Sequence, residues 1–159
     1  MKRIIAFLLI FAVIFIFTGC NDNDNKSETE NNEENKFELP ELTGEPETWE
    51  FYNSRAEYFV LSMANGDFDA AFEMFSEEMK EGFPVISLKN NLWNALISEY
   101  GKFIEIYKID NMEYEEYYLC FVTLKHEQTG VTLQLTFSEN GLISGLFIKD
   151  VSVIDDGDG

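Results

Sequence analysis

Cationic side chains are scarce in this chain: 11 Lys and Arg stand against 30 Asp and Glu, a net charge of −19 over 159 residues. A surface so acidic repels nucleic acid phosphates, which are gripped by clustered Lys and Arg, and it repels anionic lipid headgroups in the same way. No nucleic acid partner is expected. Cysteine occurs twice, at Cys20 and Cys120, and histidine once, at His126. A structural zinc site draws four ligands from clustered Cys and His, so none is expected, and one thiol in the body of the chain cannot form an internal disulfide. There is no EF-hand spacing, no phosphate-cradling Gly-rich loop and no Gly-x-Ser-x-Gly elbow. The sequence therefore points to no metal, no cofactor and no catalytic residue.

Long apolar runs are equally rare, and the single one sits at the start. Lys2 and Arg3 precede an unbroken apolar run over residues 4–17. That is about the length of a secretory h-region and short of the roughly 20 residues a membrane-spanning helix needs. Residues 1–19 are thus expected to be a cleaved signal, with Gly19 at the cut. Phe17, Thr18, Gly19 and Cys20 resemble a prokaryotic lipobox. The resemblance implies that Cys20 becomes the new N-terminus and carries a diacylglyceryl group. Two acyl chains hold a protein on a bilayer where one binds only marginally. The expected address is the outer face of a cell membrane, with the lipid as the membrane contact. Loss of Lys2 and Arg3 takes the net charge from −19 to −21.

Residues 21–36 contain no apolar side chain. Such a segment buries too little surface to offset chain entropy and is expected to be a hydrated tether, about 20–25 Å in root-mean-square span. Pro40, Gly44 and Pro46 mark a turn-rich lead-in, so residues 20–47 are assigned to lipidated cysteine and tether. The folded domain is placed at residues 48–153 and a short acidic tail at 154–159.

Within the domain the apolar period changes from helical to two. Trp49, Tyr52, Ala56, Phe59, Val60 and Met63 follow helical spacing, ended by Asn65 and Gly66. Asp67 can cap a second helix striped by Phe68, Ala71, Phe72, Phe75 and Met79. Ser87 can cap a third, with Leu88, Leu92, Trp93, Ala95 and Leu96 inward and Gly101 at its end. Residues 102–109 alternate loosely, and residues 114–126 form a second strand run. Val131, Leu133, Leu135 and Phe137 then alternate with polar residues, the mark of a strand with one wet face. Asn140-Gly141 predicts a tight type I′ hairpin, and residues 142–149 the return strand. Three helices followed by a four-stranded antiparallel meander make an α+β domain, the helices covering one face of a curved sheet.

Several segments together support a family resemblance. Residues 59–72 (FVLSMANGDFDAAF) look like the helix–turn–helix start of small cystatin-like, nuclear-transport-factor-2-like domains. Residues 75–80 (FSEEMK), Leu92-Trp93, residues 100–103 (YGKF) and residues 140–147 (NGLISGLF) are similar to the domain-of-unknown-function family 3887. The resemblance implies a cone of helices on a sheet around a cavity or a filled core. It carries no activity and no catalytic residues.

The individual candidate residues are modest. His126 lies beside a turn and is expected at the surface. Cys120 has apolar neighbours and is expected to be a buried, inert thiol. Glu113, Glu115 and Glu116 suit a solvated loop, and Glu77 with Glu81 an exposed helix face. Phe75, Trp93, Tyr107, Tyr118, Phe121 and Phe147 are the candidates for an apolar pocket between helices and sheet, the default setting for a small-molecule site. The expected role is non-catalytic binding of a protein or small-molecule partner outside the cell. The alternative is a small enzyme using the cone cavity for acid–base chemistry, a step that rests on fold analogy. A filled core with exposed apolar residues favours docking. A deep cavity holding a carboxylate or His126 favours the enzyme.

Overall fold

The computed structural model describes residues 36–154, so the signal region, Gly19, Cys20 and most of the tether lie outside it. These residues belong to one compact unit, Glu33–Gly159. The architecture is the expected α+β arrangement. Helices come first, and a four-stranded antiparallel sheet of order β1-β2-β3-β4 follows.

Helix α1 (Trp49–Ala64) begins where the Thr48 side chain accepts the Phe51 N–H at 3.3 Å. Its stripe of Tyr52, Ala56, Phe59, Val60 and Met63 is fully buried, as the spacing predicts. Gly66 stops the helix at φ 78°, a conformation glycine adopts without steric cost. Asp67 then caps α2 (Phe68–Glu73), accepting the Ala70 N–H at 3.0 Å.

The second helix ends earlier than the periodicity predicts. Phe75 leaves the helical path and forms an isolated bridge with Ile143: Ser76 N–H donates to Ile143 O at 2.9 Å, and Ile143 N–H to Met74 O at 2.8 Å. Ser76 restarts the helix as α3 (Glu77–Gly82), its hydroxyl accepting the Met79 N–H. A serine that bonds nearby backbone competes with helix continuation, which explains the split. The third helical segment runs through α4 (Val85–Ser87), a π-helical stretch (Leu88–Trp93) and α5 (Asn94–Tyr100). It starts at Pro84, and Ser87 sits inside it without making a cap bond. Gly101 ends it at φ 84°.

The strands are β1 (Phe103–Tyr114), β2 (Tyr117–His126), β3 (Gly130–Phe137) and β4 (Ile143–Ser152). The acidic tract around Glu115 is the β1–β2 turn, with Glu115 itself at φ 55°. In the β3–β4 hairpin only Gly141 has positive φ, at 75°. Gly141 N–H bonds Ser138 O and Ser138 N–H bonds Leu142 O. This is a three-residue loop ending in a left-handed glycine, where Asn-Gly predicts the two-residue type I′ form.

Alternation along the sheet divides its two faces. Cys120, Val122 and Leu124 of β2, with Val131, Leu133, Leu135 and Phe137 of β3, point to the helices and are fully buried. Thr132, Gln134 and Thr136 point outward and are half-buried. The lead-in packs on this body. Asn65 clamps the Phe37 backbone with two bonds of 2.7 Å, and the Phe37 ring meets Phe103 edge-on at 5.1 Å.

Candidate functional site

The space between helices and sheet is occupied by side chains. Phe59, Met63, Phe75, Leu133 and Phe137 all have zero exposure, and Trp93 has 4%. Phe75 packs between Phe59 and Phe83, with centroids 5.6 and 6.3 Å away. At the hairpin end Tyr118 stacks on Tyr52 at 4.2 Å, with Trp49 edge-on at 5.7 Å. Burial pushes the Tyr52 phenol up to about 12, aided by Tyr118.

The six candidate pocket residues therefore do not line one pocket. Phe75 and Trp93 are core, and Tyr118 belongs to the stack on the helix side. Phe121 lies three residues further along β2 and so points to the opposite, outer face, as do Tyr107 and Phe147. Tyr107 is 47% and Phe147 60% exposed.

His126 corrects its surface expectation: it is 2% exposed. It continues the inward series Cys120, Val122, Leu124. Its ring sits among Trp93, Tyr100 and Phe103, with centroids 6.1–6.5 Å away. Nδ1 donates to Gly101 O at 2.9 Å, because a carbonyl can only accept, and buried Nε2 has no hydrogen-bond partner. This histidine holds the α5–β1 corner. Cys120 is buried, and burial raises its thiol to about 12, so it stays protonated. Glu77 lies at the surface, 3.6 Å from Lys80. Among the described residues no three Cys, His, Asp or Glu side chains gather as metal ligands, and no helix is long and apolar enough to cross a membrane.

The outer face of the sheet has the shape of a site. An open groove of about 630 Å³ crosses all four strands there. Its apolar parts are Tyr107, Phe121, Val153 and Ile154. Thr123 of β2 and Thr132 of β3 share a hydroxyl hydrogen bond of 3.0 Å in it. Lys108 is paired with Asp110 at 2.7 Å, and its ammonium is raised by that hydrogen bond. Lys149 stands opposite on β4. The odd spacing of Phe121 from Cys120 and Val122 marked its side, whereas the sides of Tyr107 and Phe147 depend on register shifts in β1 and β4. The β-bulges that shape it carry no sequence mark.

A filled helix-side core and an open groove of mixed polar and apolar lining on the outer sheet define an α+β domain whose open surface is its sheet. The chain belongs to the family described as protein of unknown function (DUF3887), which it matches over residues 56–146. It is also similar to esterase EstD of Thermotoga maritima, at 29% identity over 101 residues, which cover 64% of this chain and 24% of that protein. The chain thus spans about a quarter of this relative's length. No solved structure matches.

Proposed function

We propose that this protein is an extracytoplasmic lipoprotein, anchored through Cys20, whose domain is a non-catalytic docking module. The observation that carries the docking reading is the contrast between the two faces of the sheet. Phe59, Phe75 and Phe137 fill the helix side, while Tyr107 and Phe147 stand open on the other. A contiguous exposed apolar patch rimmed by polar residues marks an interaction surface. Anchoring rests on the apolar run at residues 4–17 that ends at Gly19 and Cys20. The acidic surface gains nothing from anionic lipid, so the acyl chains would supply the membrane affinity.

The esterase similarity supports the same reading. It covers a quarter of that protein, which fits an accessory module beside a hydrolase better than the hydrolase itself. A serine esterase needs a nucleophile within hydrogen-bond reach of its base. His126 offers only a buried Nε2 without a partner. Two measurements test the proposal. Radioactive palmitate should label the wild type and not Cys20→Ala; equal labelling would reject the anchor. Purified protein should hydrolyse chromogenic short-chain esters no faster than His126→Ala; turnover that vanishes in His126→Ala would establish an enzyme.

A further inference from the structure

Strand β4 lies at the edge of the sheet, and among the described residues its free side is bridged only at Ile143, by Phe75, with α3 packed near β4. Among the described residues, Phe147 to Ser152 make no backbone hydrogen bond to another element on that side. Phe147, Ile148 and Val151 in this stretch are 60, 51 and 42% exposed. Open edges with apolar side chains pair with other chains, and natural sheets usually blunt them.

A bulge gives this stretch internal symmetry. Ile148 pairs with Leu133 and Asp150 with Thr132, leaving Lys149 as the extra residue. The bulge inverts the alternation. Ile148 and Val151, three apart, both lie on the helix side, opposite Leu133 and Val131. Phe147 and Ser152 both lie on the outer side, opposite Gln134 and Gly130. A regular strand puts residues with odd spacing on opposite faces. Around a two-fold axis between Lys149 and Asp150, normal to the sheet, the stretch is self-complementary. Antiparallel pairing with itself sets Ile148 against Val151 of the other copy, Phe147 against Ser152, and Lys149 against Asp150. Each pair is on matching faces and occurs twice. Lys149 and Asp150 both line the outer groove, and neither has an ion-pair partner among the described residues. In the single copy the Asp150 carboxylate accepts its neighbour's N–H, that of Val151, at 2.9 Å.

We propose that β4 pairs antiparallel with β4 of a second copy of this chain, centred between Lys149 and Asp150, to make one continuous eight-stranded sheet. Isologous contacts of this kind are the commonest route to dimers. The pairing would carry the two outer grooves onto one surface. It goes beyond the docking reading: a groove that binds nothing would leave the dimer standing, and a monomer would leave the groove standing.

Charge reversal tests the register. Full-length protein in detergent micelles is followed by sedimentation equilibrium. The wild type should reach a dimer in the micromolar range. Lys149→Asp sets Asp against Asp150 twice, and Asp150→Lys sets Lys against Lys149 twice, so each should weaken dimerisation about tenfold. The double variant Lys149→Asp/Asp150→Lys restores opposite charges and should return to within about threefold of wild type. A role confined to one copy's fold predicts no such recovery, and near-ultraviolet circular dichroism identifies any variant that fails to fold. A wild type that stays monomeric, single variants that dimerise normally, or a double variant as weak as the singles would each overturn the pairing.

Discussion

The phenol rings of Tyr52 and Tyr118 stack at 4.2 Å with their planes 17° apart, joining α1 to β2 at the hairpin end of the domain. Tyr52 also reaches the Glu139 carbonyl through its hydroxyl at 3.3 Å, so helix, strand and hairpin meet on one side chain. Removing the ring by Tyr52→Ala should cost about 3–5 kcal/mol, as for large aromatic truncations in cores. Tyr52→Phe should cost only about 1 kcal/mol, the net worth of one hydrogen bond. Urea unfolding of the two variants checks the ratio.

Alkaline pH should unfold the protein through two buried acids. Tyr52 is raised from 10.0 to about 12 and Cys120 from 9.0 to about 12, both chiefly by burial. The unfolded chain loses these protons first, so it binds fewer than the folded chain in this range, and stability falls as pH rises. The contribution is complete below about pH 9 and is lost progressively from 9 to 12. Tyr52→Phe should flatten the upper part of that decline and Cys120→Ala the part that begins near pH 9. Thermal melts between pH 8 and 12 read both effects.

His126 and Cys120 should be chemically silent in the folded protein. Both are buried, His126 at 2% exposure and Cys120 at zero. Diethyl pyrocarbonate and a thiol-reactive disulfide should each modify them only in unfolding urea. Fast labelling of native protein would place the α5–β1 corner or the β2 core at the surface.

The lead-in should contribute to stability. Asn65 holds Phe37 by two backbone bonds of 2.7 Å. Asn65→Ala should cost about 1–3 kcal/mol and make the chain near Phe37 a preferred site of proteolysis. An unchanged unfolding midpoint would mean that the clamp adds nothing.

Much of this domain was legible in its residues. The α1 stripe, the Gly66-Asp67 stop and cap, and the alternation from Val131 to Phe137 report local periodicity, and the structure follows them. The break at Phe75 was not legible, because the bridge to Ile143 joins residues 68 apart and overrides a continuous helical stripe. The π-helical turn and the bulges at Lys149 and near Tyr107 depend on partner strands and leave no local pattern. His126 was within reach: its even spacing from Cys120 set its side, but proximity to a turn outweighed it. The candidate pocket dissolved for a related reason. Tyr118 and Phe121 are an odd number of residues apart on one strand, so they could never face one cavity.

The contrast between a packed helix side and an open outer face is tested most directly by binding of an anilinonaphthalene sulfonate dye, which brightens on open apolar surface. Native protein should enhance its fluorescence, and Tyr107→Ser/Phe147→Ser should remove most of the enhancement while shifting stability by no more than about 0.5 kcal/mol. Phe75→Ala should cost about 3–5 kcal/mol yet keep the dye signal under native conditions. Dye binding that survives the outer-face pair but changes with Phe75→Ala would contradict the account, placing the open site between helices and sheet.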